Sequence, residues 1–249
     1  RVTINREKSF NSVNGQAAKD LHDIVNMMSG DKNVRAVVIT GAGEKAFCAG
    51  GDIGEFYENK DRLEALVREM TGYLHIAISR LAWLDAPVIA AVNGAAAGAG
   101  LSLAACSDLV IASDKAKFGT AFAQRGLIAE HGVSWMLPRL VGISNALDLL
   151  YSARIIEAEE AHRMGLVSRV IPHDSLMTET MEYAKHLANN VSPRSLRFMK
   201  KEVYNALFQT LAEATDAANL DMVDSFQCDD FKEGVAHFIE KRTPHFTGK

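Results

Sequence analysis

The chain has 249 residues, 48% hydrophobic and 23% charged, with a net charge of −4 and an isoelectric point near 6.1. That is ordinary globular composition with enough apolar material for one large core, and no broad basic field exists for binding nucleic acid through phosphates. No apolar run reaches the length of a membrane span, and Cys48, Cys106 and Cys228 match neither a disulfide framework nor a zinc site, which points to a reducing compartment, cytoplasmic or other.

The chain begins at Arg1 and runs straight into the strand-like Val2–Ile4, so a preceding piece, and with it a targeting segment, is expected to be missing. Leu21, Ile24, Val25 and Met28 recur at helical spacing and predict a helix over Gln16–Ser29. The β-branched run Arg35–Thr40 predicts a buried strand stopping at Gly41-Ala-Gly43. A long helix follows over Leu63–Leu84, then a buried strand over Pro87–Val92, a short helix over Leu101–Cys106 and a strand over Leu109–Ser113. Such alternation implies crossovers and a mostly parallel sheet, hence an α/β fold. From about Ser144 strand signals fade. Helices are predicted over Asn145–Tyr151, Ala158–Met164, Leu176–Asn190, Pro193–Ala206, Leu211–Asp224 and Phe231–Glu240. The expected division is a core over 1–143 and a helical region over 144–249 that completes it and forms a subunit interface.

Two segments are nearly free of side-chain bulk: Phe47-Cys-Ala-Gly-Gly-Asp-Ile53 and Asn93-Gly-Ala-Ala-Ala-Gly-Ala-Gly-Leu101. Either can be a tight turn or a close helix–strand contact. Either can equally let backbone N–H groups approach a ligand, and the second opens a helix, where unpaired N–H groups and the dipole favour negative charge. Gly98-Ala-Gly100 lacks the spacing of a dinucleotide-binding turn.

Taken together these segments resemble the crotonase (enoyl-CoA hydratase/isomerase) superfamily. The resemblance runs through Ile4-Asn-Arg6, Phe10-Asn11, Ala46–Ile53, Pro87–Gly94, Gly98–Gly100, Cys106–Leu109, Ala116–Gly119, Pro138–Gly142, Ala158–Val170 and Glu240–Arg242. It implies a spiral of ββα units with a helical C-terminal trimerisation region, a homotrimer or dimer of trimers, and an acyl-CoA thioester as ligand, with coenzyme A belonging to the substrate and no separate cofactor or metal. Carried over by position, the N–H groups of Gly51 and Ala99 would form an oxyanion hole; Ala99 stands where the family usually has Gly, and only its backbone is needed. Ala49, Asp52, Ile53 and Ala97 would line the bound CoA. Lys8 and Phe10 would sit beside its pantetheine–nucleotide part, and Lys241 would supply a basic contact from the C-terminal region.

The two glutamates that hold water in enoyl-CoA hydratases fall here on Ser102 and Phe122, neither of which can act as a carboxylate. Glu130, in Arg125–Trp135, stands instead where some isomerases of this family carry Glu or Asp. From spacing alone it reads as a solvated helix-start carboxylate. Its apolar neighbours Leu127, Ile128, Ala129, Val133 and Trp135 would desolvate it and raise its proton affinity toward that of a general base. His131 is adjacent, but consecutive side chains usually diverge, so a structural role is expected. The family equivalents of Asp52 and Asp108 look structural or backbone-binding, the other histidines show no metal or triad spacing, and Ser102 lacks a base and reads as a packing residue. The expectation is an acyl-CoA isomerase working through Glu130. The alternatives are a hydratase that moved its acid–base function there, and a non-catalytic acyl-CoA-binding or RNA-binding offshoot.

Overall fold

The computed structural model describes residues 1–249, which separate into two compact units. The first comprises residues 1–31, 38–84 and 88–180; the second comprises 32–37, 85–87 and 181–249. The first unit therefore runs past the boundary expected at 143, because two short strands beyond that point pair with its sheets.

In the first unit nine strands are shared between two sheets. Strands β1 (Val2–Ile4), β2 (Val37–Gly41), β4 (Val88–Val92), β6 (Leu109–Ser113) and β9 (Arg169–Ile171) form one sheet in that order. Strands β3 (Ala46–Cys48), β5 (Ala95–Ala97), β7 (Lys117–Gly119) and β8 (Ile156–Glu157) form the other, parallel through β7 with β8 antiparallel at the edge. Each of β2, β4 and β6 is followed by a partner in the second sheet, and the chain steps one strand along both sheets at every turn. This is the expected spiral of ββα units.

The second sheet escaped the sequence. Its strands have two or three residues, and Ala95-Ala-Ala97 has no β-branched side chain, so pairing rather than propensity makes it a strand. For the same reason β8 and β9 lie where strand signals had faded. The strand expected over Arg35–Thr40 begins only at Val37 and extends to Gly41.

The apolar periodicities are otherwise met. Helix α1 (Gly15–Gly30) buries Ala18, Leu21 and Val25 and is capped by Asn14, whose side chain accepts from the Ala17 N–H. Helices α2 (Ile53–Glu58) and α3 (Leu63–Ala82) follow β3, and α4 (Ala99–Ala105), every residue of it buried, follows β5. Helices α5 (Val133–Val141), α6 (Ile143–Ser152) and α7 (Ala158–Met164) complete the unit. Two buried asparagines fix the β2–β3 turn. Asn11 Nδ2 donates to the Ala42 and Ala46 carbonyls, and Asn93 Nδ2 donates to those of Gly41 and Gly43. Asp108 accepts the Val88 N–H at 2.8 Å, the backbone-binding role read for it from sequence.

The second unit carries α8 (Leu176–Asn190, entering it at Met181), α9 (Pro193–Ala206), α10 (Leu211–Ser225) and α11 (Asp229–Glu240). Its tail is anchored by Asp230, which is 4% exposed. Asp230 accepts from the Ser192 hydroxyl at 2.6 Å and from the N–H groups of Thr247 and Gly248 at 2.8 and 3.0 Å. Asp230→Ala leaves three donors without an acceptor. It is expected to lower stability by about 1–3 kcal/mol, the cost of orphaned buried polar groups, read as a fall in the urea midpoint of the whole chain at unchanged slope.

Candidate active site

The carboxyl ends of β3, β5 and β7 lie side by side, and the segments leaving them wall an apolar cavity of about 210 Å³. Helix α3 supplies one wall through Leu63, Val67, Met70, Thr71 and Leu74, residues spaced on one helical face.

Two backbone segments meet at this cavity. Gly50 has φ +96°, and a Cβ there would sit 2.8 Å from the Ala97 carbonyl oxygen; a Cβ on Gly100 would sit 2.0 Å from that of Cys48. These glycines are required because backbone, not side chain, is the neighbour. The contact sets the direction of two amides. Val13 bridges Gly51 in the parallel sense, its N–H bonding to the Gly50 carbonyl and its carbonyl taking the Asp52 N–H. The intervening Gly51 N–H therefore faces away from Val13, and it donates to no protein acceptor. Ala99 is the first residue of α4, and its N–H likewise has no acceptor, as expected at the start of a helix. Both residues line the cavity.

Glu130 is the one carboxylate among the lining residues. Its side chain is 32% exposed, and burial raises its proton affinity above that of an ordinary glutamate. Of the neighbours expected to supply that burial, Leu127 lines the cavity with Glu130, whereas Ile128 is 80% exposed and the Trp135 ring stacks with the Arg139 guanidinium at 4.0 Å. Glu130 shares the cavity wall with Met70, Leu74 and Phe122 as well. Ser102 is fully buried, with its hydroxyl 3.3 Å from the Gly98 carbonyl and 3.2 Å from that of Glu130, a packing role that also ties the Glu130 backbone to α4. Phe122 is buried on the wall.

The other expected ligand contacts divide. Ala49 and Ile53 line the cavity, and the Ala97 carbonyl abuts Gly50. Asp52 is not among the lining residues. It caps α2 and pairs with Arg6 at 2.8 Å; burial would raise its proton affinity, but the Arg6 guanidinium and the Glu55 N–H outweigh that and hold it below the usual range. Lys8 lies in an exposed helical turn. Phe10 keeps a half-exposed ring and gives its carbonyl to the Ala49 N–H, so its backbone rather than its ring adjoins the site. Lys241 belongs to the second unit and ends α11 with φ +54°. Two ionisable lining residues were not expected. Arg125 brings a cation whose bond is to the Ala121 carbonyl, and no local motif marks it. His131 was assigned to structure on the ground that adjacent side chains diverge; its Nε2 instead lies 3.4 Å from Glu130 Oε2.

The chain matches the family model described as enoyl-CoA hydratase/isomerase over residues 1–249. It is 35% identical over 251 residues to 1,2-epoxyphenylacetyl-CoA isomerase of Escherichia coli strain K12, covering 100% of this chain and 94% of that protein. It is also 35% identical over 242 residues to short-chain-enoyl-CoA hydratase of Clostridium acetobutylicum, covering 97% and 91%. The crystal structure of enoyl-CoA hydratase from Bacillus anthracis superposes with a TM-score of 0.93 at 33% identity, covering 99% and 94%.

Proposed function

Because the chain belongs to the enoyl-CoA hydratase/isomerase family, whose members act on acyl-CoA thioesters, we propose that it is an enoyl-CoA isomerase moving a double bond by proton transfer through Glu130. The observation that carries this reading is that Glu130 is the single carboxylate on the cavity wall, with its proton affinity raised by burial. A 1,3-proton shift needs one carboxylate, since the same group accepts and returns the proton. Hydration needs a second group to orient water, and the positions that would hold it carry a fully buried Ser102 and the ring of Phe122.

In the proposed reaction ionised Glu130 takes a proton from the carbon α to the thioester of a 3-enoyl-CoA. The electron pair of that C–H bond moves into the thioester, giving an enolate whose oxygen accepts hydrogen bonds from the Gly51 and Ala99 N–H groups. The enolate collapses through the existing double bond, the γ carbon takes the proton from Glu130, and a 2-enoyl-CoA results. One preorganised donor of this kind contributes about 10²–10³-fold to turnover. The working form is the carboxylate, so the rate falls as pH drops through a value set above the ordinary glutamate range by burial.

The assembly we propose is a homotrimer or dimer of trimers. Supporting it, Ile143, Leu147, Tyr151 and Ile155 form an apolar stripe on and just beyond α6, with Ile143 and Tyr151 71% and 76% exposed. Leu149 of the same helix is buried within its own unit. CoA remains part of the substrate, with Lys8 and Phe10 proposed beside its pantetheine–nucleotide part, Asp52 along the bound CoA and Lys241 as a basic contact, and the compartment is a reducing one.

The Clostridium relative is a hydratase, which favours that second reading. A panel of 3-enoyl- and 2-enoyl-CoA thioesters, with mass detection of added water, separates the two. Double-bond migration without mass gain is expected. Efficient hydration of crotonyl-CoA with no migration would make the chain a hydratase.

A further inference from the structure

His131 and Glu130 are consecutive, yet their side chains meet on the cavity wall with Nε2 and Oε2 3.4 Å apart. The backbone makes this possible. His131 has φ +53° and Gly132 φ +82°, two successive left-handed residues ahead of α5. A residue with a side chain is strained in that region, where glycine would not be. The His131 side chain is only 7% exposed.

A histidine held for packing would have both ring nitrogens satisfied, because buried polar atoms nearly always are. His131 Nδ1 is buried with no partner. The polar side chain that the structure places beside the ring is the Glu130 carboxylate, at 3.4 Å and outside hydrogen-bond geometry. Strained backbone and an orphaned nitrogen are thus both retained around one contact, made in the site to the group assigned the proton transfer. The titratable groups around the pair are few. Arg125 shares the cavity wall, Cys106, the residue that caps the end of α4, has its thiol 3.7 Å from the His131 carbonyl oxygen, and His75 of α3 acts on the ring electrostatically. Burial first, and His75 second, push the His131 pKa down to about 4, so the ring is neutral near pH 7. A neutral ring beside the carboxylate does not ion-pair it.

We propose that His131 is a positioning residue for Glu130: as the neutral Nε2–H tautomer, with the two groups turned from their 3.4 Å approach into hydrogen-bond geometry, it donates to Oε2, fixing the plane of the carboxylate and leaving Oε1 to receive the substrate proton. The inference rests on Glu130 being the base. A donor to the ionised form also lowers proton affinity, so His131 partly offsets what burial raises.

The test follows deuterium wash-in at the α carbon of butanoyl-CoA in D₂O, which needs neither a double bond nor added water, across the pH range for wild type, E130Q, H131F and H131Q. Phe keeps the bulk and removes the donor; Gln restores a donor. H131F is expected to move the acid limb of the exchange rate upward by about one pH unit, a tenfold loss on the acid side, with KM changed less than kcat. H131Q is expected to return the limb toward wild type. An unmoved limb in H131F, or equal losses in H131F and H131Q, overturns the proposal and leaves a packing residue. Should E130Q keep its exchange, the base assignment itself fails. Nitrogen NMR of ¹⁵N-histidine-labelled wild type supplies an arm that needs no variant: a neutral Nε2–H ring at pH 6–8 is expected, and an Nδ1–H ring overturns the proposal.

Discussion

Glu130→Gln is expected to lower turnover by about 10²–10⁴-fold, the range that general acid–base catalysis contributes. The amide keeps the shape and polarity of the carboxylate and loses its affinity for a proton. Glu130 is the sole acid on the cavity wall, so no neighbour stands ready to take over. Binding should survive, because the thioester oxygen is assigned to the Gly51 and Ala99 N–H groups. A steady-state comparison should show kcat and kcat/KM falling together while the dissociation constant for a saturated acyl-CoA stays within a few-fold. Near-normal turnover in this variant would remove Glu130 from the mechanism.

Gly100→Ala is expected to be nearly as damaging by a different route. Gly100 is helical, so alanine suits its local conformation. The obstacle is tertiary: the new Cβ would lie 2.0 Å from the Cys48 carbonyl oxygen and 2.8 Å from both the Cys48 carbonyl carbon and Cβ. Backbone on both sides must separate, and these are the segments that aim the Gly51 and Ala99 amides. Overpacking of this kind costs about 1–3 kcal/mol in stability. Misaligning one donor costs about 10²–10³-fold in turnover. The two losses are separable by measuring thermal unfolding and kcat on the same preparation. A variant with a lowered Tm but unchanged kcat would show that the contact serves folding alone.

The contrast between what was and was not legible in the sequence follows the range over which each feature is determined. Helices α1, α3, α6 and α8–α11 announce themselves through local apolar period and caps, such as the Thr210–Glu213 capping box opening α10. Strands β2, β4 and β6 are buried on both faces and read as β-branched runs. Strands β3, β5, β7 and β8 hold only two or three residues, and each becomes a strand through a partner distant in the chain, which no window of sequence contains. The site divides in the same way. The two glycine-rich segments and Glu130 carry local signals. The meeting of His131 with Glu130 depends on two left-handed residues, only one of which is glycine, and the sequence rule that neighbours diverge pointed the wrong way. Arg125 reaches the cavity through the path of the chain after β7.

The parallel edge formed by β3, β5 and β7 separates two kinds of information. The segments after β3 and β5 are assigned to present main-chain amides, so side chains there need only be small enough to permit the approach. That tolerance is expected at position 99, where alanine stands and only its backbone is called on. The segment after β7 is long and presents side chains: Phe122, Arg125, Glu130 and His131. A mutational drift confined to residues 120–132 could therefore exchange one acid–base chemistry for another while the enolate-holding groups stay in place. Selection on the first two segments would act on volume, and selection on the third on functional group. A saturation library across the three should show this as two distinct tolerance profiles: permissive only to Gly, Ala and Ser at positions 51 and 99, and restricted by charge and proton affinity, largely regardless of size, at position 130.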